Sequence, residues 1–297
     1  MKVTVSVALA LAFGATIVAA QRGGPPETPS VTVRGQVYNP RIILTRNMGT
    51  EADQTTAFTP HKVIGNVYYV GTRTLSSYLI TTPAGHILIN STYERNVPVI
   101  KKSVEQLGFK FEDIEIVLGT HAHGDHQEGD ALVKQMTGAQ VYAMAEDVPA
   151  LRNMRPGGKE HPIDRELKHG ETVTLGGTTL TAHHTPGHTR GATTWTLRAA
   201  EQGNLYDVVI ASSYRAPGKV SPAVEDEFNR TFKYLRTLPC DVPLGDHPAQ
   251  YNMMAKHGKP VPTNAFIDPD NCWVEAEVQE AMLRAQLALQ AGGATAR

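Results

Sequence analysis

Four residues of metal-binding type stand within six consecutive positions of this chain. They are His121, His123, Asp125 and His126, and they follow an apolar run at 114–118 that predicts a buried strand. Their spacing does not suit one face of a helix, which requires residues three or four apart. A loop after a strand can instead direct several side chains to one point, so the cluster predicts two neighbouring metal ions. The alternative is a polar surface loop that is rich in histidine.

Two later histidines have the same context as the cluster. His188 follows a predicted strand at 179–184, and His247 follows a short one at 241–244. The chain therefore offers two sets of three ligands: His121, His123 and His188; Asp125, His126 and His247. Zinc accepts imidazole and carboxylate ligands and keeps an open position in catalytic sites. Two such ions sharing a water would generate hydroxide at neutral pH.

Composition limits the class of protein. The chain has 297 residues, of which 41% are apolar and 19% charged, and its net charge is −1. These values are typical of a soluble globular protein, and they give no sign of the basic surface that nucleic-acid binding requires. We therefore expect no nucleic-acid partner.

The first twenty residues are expected to form a secretory signal peptide. Lys2 precedes an apolar stretch at 3–18, and small residues stand before Gln21, where cleavage is expected. The alternative is an uncleaved anchor helix. No other stretch is long and apolar enough to cross a membrane, so we expect no stable membrane insertion after cleavage.

The expected export of the protein decides how its two cysteines, Cys240 and Cys272, are interpreted. In an exported protein an even, small number of cysteines favours a disulfide. The bond would close a loop of about 30 residues and stabilise the fold by roughly 3–4 kcal/mol. Two buried thiols are the alternative.

The rest of the chain divides into a linker and arm at 21–60 and one domain at 61–297. In the domain, the patterns predict a hairpin near 63–70, further strands, and helices near 97–107, 129–137, 145–153, 222–235 and 273–289. A polar loop is expected at 155–168. This order favours two sheet-and-helix halves around a common core.

Three motifs in order resemble those of the metallo-β-lactamase superfamily. They are Thr120 to His126, Thr185 to Thr189, and Asp246 to Pro248, and the resemblance covers roughly residues 62–290. It implies an α/β fold, the four-layer αββα sandwich, with a zinc site between the edges of the two sheets.

One segment distinguishes among branches of the superfamily. Thioesterases similar to glyoxalase II, lactonases and other relatives carry an aspartate that bridges both metals, where this chain has Ser212 and Ser213. The commonest class B β-lactamases have a cysteine near this position, and this chain has no cysteine there. The chain therefore resembles the third subclass of class B β-lactamases, in which two cysteines corresponding to Cys240 and Cys272 form a disulfide.

This resemblance implies an activity. Two Zn²⁺ ions, held by the two sets of three ligands, would hold a hydroxide that Asp125 orients for attack on the lactam carbonyl. Ser213 would contact the substrate carboxylate. The substrates would be penicillins, cephalosporins and carbapenems, and the protein would act as a periplasmic monomer that confers antibiotic resistance.

Two residues depart from the pattern of the subclass. Arg215 replaces a small hydroxyl residue, and it would either pair with the β-lactam carboxylate or point into solvent. Asp246 replaces a neutral residue, and it would either tune His247 or cap a strand end. The alternatives for function are another hydrolase of this fold, such as a lactonase or thioesterase, and a non-catalytic zinc-binding protein.

The remaining histidines carry simpler expectations. His183 and His184 lie on one predicted strand and therefore face opposite sides. Surface positions are expected for the others: His61, His86, His161, His169 and His257.

Overall fold

The structure is a computed structural model that describes residues 29–259 and 264–295. The predicted signal peptide, residues 1–20, and residues 21–28 of the predicted linker and arm lie outside the described residues. Within them, no helix has both the length and the apolar character that crossing a membrane requires.

The described part of the arm is a small hairpin followed by two helices. Its elements are β1 (Val31–Val33), β2 (Gln36–Tyr38), α1 (Pro40–Met48) and α2 (Glu51–Thr55). Neither helix is predicted from the sequence. The three residues 42–44 of α1 are consecutive apolar residues and do not show a helical period. The cap is nevertheless regular, because the side chain of Asn39 accepts a hydrogen bond from the backbone N–H of Ile42.

The larger sheet contains seven strands whose order in space is their order in the chain. They are β3 (His61–Ile64), β4 (Val67–Tyr69), β5 (Tyr78–Thr82), β6 (Gly85–Ile89), β7 (Ile114–Leu118), β8 (Gln140–Met144) and β9 (Arg165–Leu167). The strands from β3 to β6 are antiparallel, and those from β6 to β9 are parallel. The helices between them are α3 (Val97–Gln106), α4 (Gly124–Gln127), α5 (Asp130–Thr137) and α6 (Val148–Met154).

The smaller sheet contains five strands, again in chain order. They are β10 (Thr172–Leu175), β11 (Thr178–His184), β12 (Thr193–Glu201), β13 (Asn204–Ala211) and β14 (Val242–Gly245). Its last pair is parallel and the others are antiparallel. Helices α7 (Pro222–Leu235), α8 (Met253–Lys256) and α9 (Val274–Thr295) complete this half.

The two sheets pack face to face and each carries helices on its outer side. Alternation within β7 shows the arrangement: Ile116 and Leu118 enter the core between the sheets, whereas Val117 packs with Val104 of α3 and Val133 of α5. Helices α7 and α9 cover the other side through a cluster of aromatic and aliphatic residues. The expected four-layer αββα sandwich is thus confirmed.

The arm is fastened to the last helix. Arg34 forms an ion pair with Glu277 at 3.0 Å, and Arg46 forms one with Glu275 at 2.8 Å. The apolar side of α1 packs on α9 through the buried Ile43. These contacts place α1 beside the edge of the sandwich where β7 and β14 end.

Cys240 and Cys272 form the predicted disulfide, which joins the start of β14 to the segment before α9. Two other expectations are wrong. The loop expected at 155–168 contains the edge strand β9, whose three residues are too few to show an alternation. His161 and His86 are buried, because His161 lies against Asp130 and His86 packs on the ring of Phe109.

Candidate metal centre

The loop after β7 is held from both sheets. The side-chain oxygen of Asn90, after β6, accepts a hydrogen bond from the backbone N–H of Thr120 at 2.9 Å. From β12 of the other sheet, the indole N–H of Trp195 donates to the carbonyl of Gly119 at 3.0 Å, and the N–H of Thr193 donates to the carbonyl of Thr120 at 2.7 Å. The histidine cluster therefore begins at a point fixed by the whole sandwich.

Three histidines converge into the first group of ligands. His121 Nε2 and His123 Nδ1 are 3.1 Å apart, and one ring nitrogen of each of His121, His123 and His188 lies within 4.8 Å of the other two. His188 donates from Nδ1 to the carbonyl of Arg215 at 2.7 Å, so its Nε2 is left as the unprotonated nitrogen of a neutral ring.

The second group gathers around the single turn of α4. Asp125 Oδ2 lies 3.2 Å from Nε2 of His126 and 3.8 Å from Nε2 of His247. His247 donates from Nδ1 to the carbonyl of Thr74 at 2.9 Å, which leaves its Nε2 free. The structure thus brings all six predicted ligands into one cavity. The two groups are adjacent, because the ring centroids of His121 and His126 are 4.2 Å apart and a nitrogen of His121 also lies within 4.8 Å of ligand atoms of Asp125 and His126.

Burial shapes the charge state of these groups. It lowers the pKa of His121 well below its usual value and, together with the neighbouring His123, lowers the pKa of His188 to about 4. Burial alone would raise the pKa of Asp125, but the imidazoles of His126 and His247 outweigh it and hold that pKa far below the usual range. Near neutral pH the centre therefore presents His121 and His188 as neutral imidazoles and Asp125 as a carboxylate. Against the effect of burial, that carboxylate raises the pKa of His126.

This donor set fits zinc. Neutral imidazole nitrogens and a carboxylate are the ligands that zinc takes in hydrolytic sites. The Nε2 atom of His126 is fully buried, and although Asp125 Oδ2 lies 3.2 Å away, the two atoms do not have the geometry of a hydrogen bond. A buried nitrogen without a hydrogen bond costs free energy unless a further group binds there. The residues present are thus suited to hold the group that the sequence predicts.

Asp147 ties the two loops of the first group together, and the sequence does not reveal it. Its carboxylate accepts hydrogen bonds from the backbone N–H of Ala122 at 2.8 Å, the hydroxyl of Thr189 at 2.8 Å and the backbone N–H of Gly191 at 2.6 Å. In sequence, Asp147 reads as an ordinary N-cap of the following helix, yet its side chain makes no cap hydrogen bond there.

Comparisons with known proteins agree with this geometry. A family model described as the metallo-β-lactamase superfamily matches residues 70–200. The structure of the FEZ-1 metallo-β-lactamase from Legionella gormanii is 39% identical, covers 78% of this chain and 97% of that one, and superposes with a TM-score of 0.73. The chain belongs to the metallo-β-lactamase superfamily.

Other relatives in the superfamily differ in their described activity. BJP-1 of Bradyrhizobium japonicum, a subclass B3 metallo-β-lactamase, is 35% identical, covers 81% of this chain and 98% of that one, and has a TM-score of 0.75. A curated hydroxyacylglutathione hydrolase from Hyphomonas neptunium is 31% identical over 126 residues, which are 42% of this chain. The chain spans only 44% of the length of that relative.

The structure also places the predicted substrate contacts of this superfamily member. Ser213 and Arg215 both line the cavity of about 190 Å³ that contains the six ligands. The Ser213 hydroxyl donates to Asp246 Oδ1 at 3.1 Å, whereas Arg215 is exposed at the rim. The carboxylate of Asp246 contacts a different ligand from the one expected, because its Oδ2 lies 3.2 Å from Nδ1 of His121, whereas Nδ1 of His247 bonds to Thr74.

Residues of α1 complete the cavity wall, and the sequence did not identify them. They are Ile43, Leu44, Asn47 and Met48. Leu44 is exposed and apolar at the mouth of the site. A helix of the arm is thus part of the surface that a substrate would meet.

Proposed function

We propose that this protein is a zinc-dependent β-lactamase that opens the amide ring of penicillins, cephalosporins and carbapenems. The observation that carries the proposal is the ligand arrangement: six ligand side chains form two adjacent groups, and Asp125 is the only carboxylate among the described residues that line the cavity. A hydrolase of the related thioesterase type would be expected to place a second, bridging carboxylate there.

The chain would hold two Zn²⁺ ions, with His121, His123 and His188 on the first and Asp125, His126 and His247 on the second. Bound there, zinc would supply a Lewis acid and make water a nucleophile at neutral pH.

Asp125 orients the nucleophile of the site. Its Oδ2 faces His126 and His247, and its low pKa keeps it as an acceptor that orients the attacking water towards the substrate carbonyl. Because the side chain is mostly buried, this orientation is fixed before the substrate arrives.

Residues at the rim of the cavity would bind the carboxylate of the substrate. All the substrates proposed carry a carboxylate next to the lactam nitrogen, and Arg215 supplies a guanidinium beside the ligands, with the donor geometry that a carboxylate accepts. Ser213 would add a hydroxyl contact, although that hydroxyl must then leave or share its bond to Asp246.

A thioester hydrolase is the second candidate, because curated relatives that match part of this chain are hydroxyacylglutathione hydrolases. The position of Ser212 speaks against it. Its hydroxyl donates to the carbonyl of Thr120 at 3.2 Å and lies on the Nδ1 side of His121, away from the nitrogen that faces His123. Neither Ser212 nor Ser213 can serve as a bridging carboxylate.

We also propose that the protein works as a monomer in the periplasm after removal of residues 1–20. The periplasmic location is supported by the sequence of that segment and by the disulfide between Cys240 and Cys272, which is typical of oxidising compartments.

Metal dependence tests the proposed centre. Protein treated with EDTA should lose β-lactam hydrolysis, and added zinc should restore it with a stoichiometry near two ions per chain. His121→Ala and His247→Ala should each lower the zinc content by about one ion and abolish turnover. Full turnover of a β-lactam by protein verified to be free of metal would overturn the proposal.

A further inference from the structure

A second cavity adjoins the metal centre and has a different character. It is a groove of about 450 Å³ between α1, the segment at 215–218 and α9. Ile43 and Arg215 line both this groove and the metal cavity, so the two meet between these side chains. The groove therefore begins at the residue proposed to hold the substrate carboxylate.

The walls of the groove are apolar. The side chains that form them include Ala216, Met282, Leu283 and Leu289. Met282 and Leu283 are buried at its base, whereas Leu289 is 41% exposed at its outer end. An exposed leucine beside buried ones shows that the apolar surface continues outwards, where a ligand could cover it.

Polar groups on the walls are already engaged with the protein. The amide nitrogens of the glutamines donate as follows: Gln279 to Glu275, Gln286 to the carbonyls of Pro217 and Gly218, and Gln290 to the carbonyl of Val220. Among the described residues that line the groove, Arg215 is the only charged one. The groove thus combines one cation at its inner end with apolar contact along its length.

We infer that this groove binds an apolar substituent of the substrate, attached next to the carboxylate that Arg215 holds. The inference rests on the proposed function and names the substrate class more closely: β-lactams whose carboxylate-bearing ring carries an alkyl or aryl group. A substituent on the far side of the lactam ring, such as the acylamino chain, points away from the groove when the carboxylate lies at Arg215.

The test uses two series of cephalosporins with zinc-loaded protein. One series varies the length of an unbranched alkyl group beside the carboxylate, and the other varies the acylamino chain. Burial of each methylene is expected to raise kcat/KM by roughly twofold to fourfold in the first series. In the second series, kcat/KM is expected to change little with the acylamino chain. If kcat/KM did not depend on alkyl length in the first series, or depended equally on chain length in both series, the inference would be overturned.

Gly218→Trp is the variant that places a large side chain on the wall of the groove. A Cβ at Gly218 meets no atom within 4 Å, and the residue does not have a positive φ, so the backbone accepts the larger side chain. The ratio of kcat/KM for long and short alkyl groups should fall towards one. Leu205→Trp, at an exposed position near the turn between β12 and β13, is the matched control and should keep the wild-type ratio. An unchanged ratio in Gly218→Trp would contradict the assignment.

A binding measurement separates the groove from the proposed activity. Decanoate offers a carboxylate for Arg215 and an alkyl chain for the groove, and its binding is read by displacement of the apolar fluorophore N-phenyl-1-naphthylamine. Saturable binding that Gly218→Trp removes supports the groove even if no β-lactam is hydrolysed, an outcome that would defeat only the proposed function. Absence of saturable binding in the wild-type protein overturns the groove.

Discussion

Asp246 Oδ2 lies 3.2 Å from Nδ1 of His121, although Asp246 is the sequence neighbour of another ligand, His247. The carboxylate is completely buried, and its other oxygen accepts hydrogen bonds from Ser213 and Gln250. One carboxylate therefore contacts a ligand of the first group and a residue of the substrate cavity. A carboxylate behind a metal-binding imidazole orients the ring and makes it a stronger ligand.

Asp246→Asn keeps the size of this side chain and removes its charge. We expect the affinity for the zinc ion of the first group to fall roughly 10-fold to 100-fold, because His121 loses its anionic partner. Competition with a chromophoric chelator measures this directly and does not depend on turnover. Asp226→Asn makes the same change at an exposed position of α7 and should leave the affinity unaltered. Equal affinities in the two variants would argue against a role for Asp246 in metal binding.

Arg215→Ala should weaken the binding of anionic substrates. A charge-assisted hydrogen bond at an exposed rim contributes about 1–2 kcal/mol, so kcat/KM is expected to fall roughly tenfold. The loss should reside mainly in KM, because the guanidinium contacts the carboxylate in the ground state and the transition state alike. Steady-state kinetics at two salt concentrations checks it, with Arg230→Ala as the surface control. An unchanged KM would show that Arg215 points into solvent.

His183 gives the fold a dependence on pH. Burial, assisted by the nearby His169, lowers its pKa to about 4, and its ring nitrogens bond to Tyr234 and Thr196 at 2.7 Å each. The unfolded chain takes up a proton near pH 6.5 that the folded one resists, so the contribution of His183 is present above pH 6.5 and is lost as the pH falls towards 4.

The size of this effect is up to about 2 kcal/mol between pH 7.5 and pH 5, reduced by solvent screening. Urea unfolding of metal-free protein across this range measures it. His183→Gln should flatten the curve relative to the wild type, since all other titrating groups are shared. Parallel curves for the two proteins would rule out His183 as the source.

The disulfide should account for a large part of the stability of the second half. Cys240 and Cys272 are 32 residues apart, and replacing both with serine is expected to lower the free energy of unfolding by about 3–4 kcal/mol. Urea unfolding of the double variant and of the oxidised wild type gives the difference. Wild-type protein treated with a reductant should resemble the variant. Identical midpoints for the oxidised and reduced proteins would refute this contribution.

The ligands were predictable from sequence because each follows a strand whose pattern is strong. The runs before His121 and His247 are apolar and short, as buried strands are. The strands that they form, β7 and β14, lie in different sheets, and the packing of these sheets brings their ends together. Features that depend on three-dimensional register were not predictable. The side chain of Asp246 points away from that of its neighbour His247, and only packing of the two sheets brings it to His121.

Other features of the site could not be predicted for reasons that lie in the local sequence. Helix α1 forms a wall of the site, yet its apolar residues Ile42 and Ile43 are consecutive. The sequence therefore shows no helical period that would predict this helix. Asp147 has the sequence context of a helix cap, and its three hydrogen bonds to distant loops have no counterpart in the local pattern. The family motifs thus reveal the metal ligands, while substrate-facing and supporting residues require the structure.

The central claim is that this metal centre acts on β-lactams and not on thioesters. The most direct measurement compares kcat/KM for nitrocefin and for S-lactoylglutathione on one sample whose zinc content is determined. The two complete groups of ligands and the serines at 212 and 213 predict turnover of nitrocefin at a kcat/KM well above that for the thioester. Hydrolysis of the thioester without turnover of nitrocefin, in protein that holds two zinc ions, would contradict it.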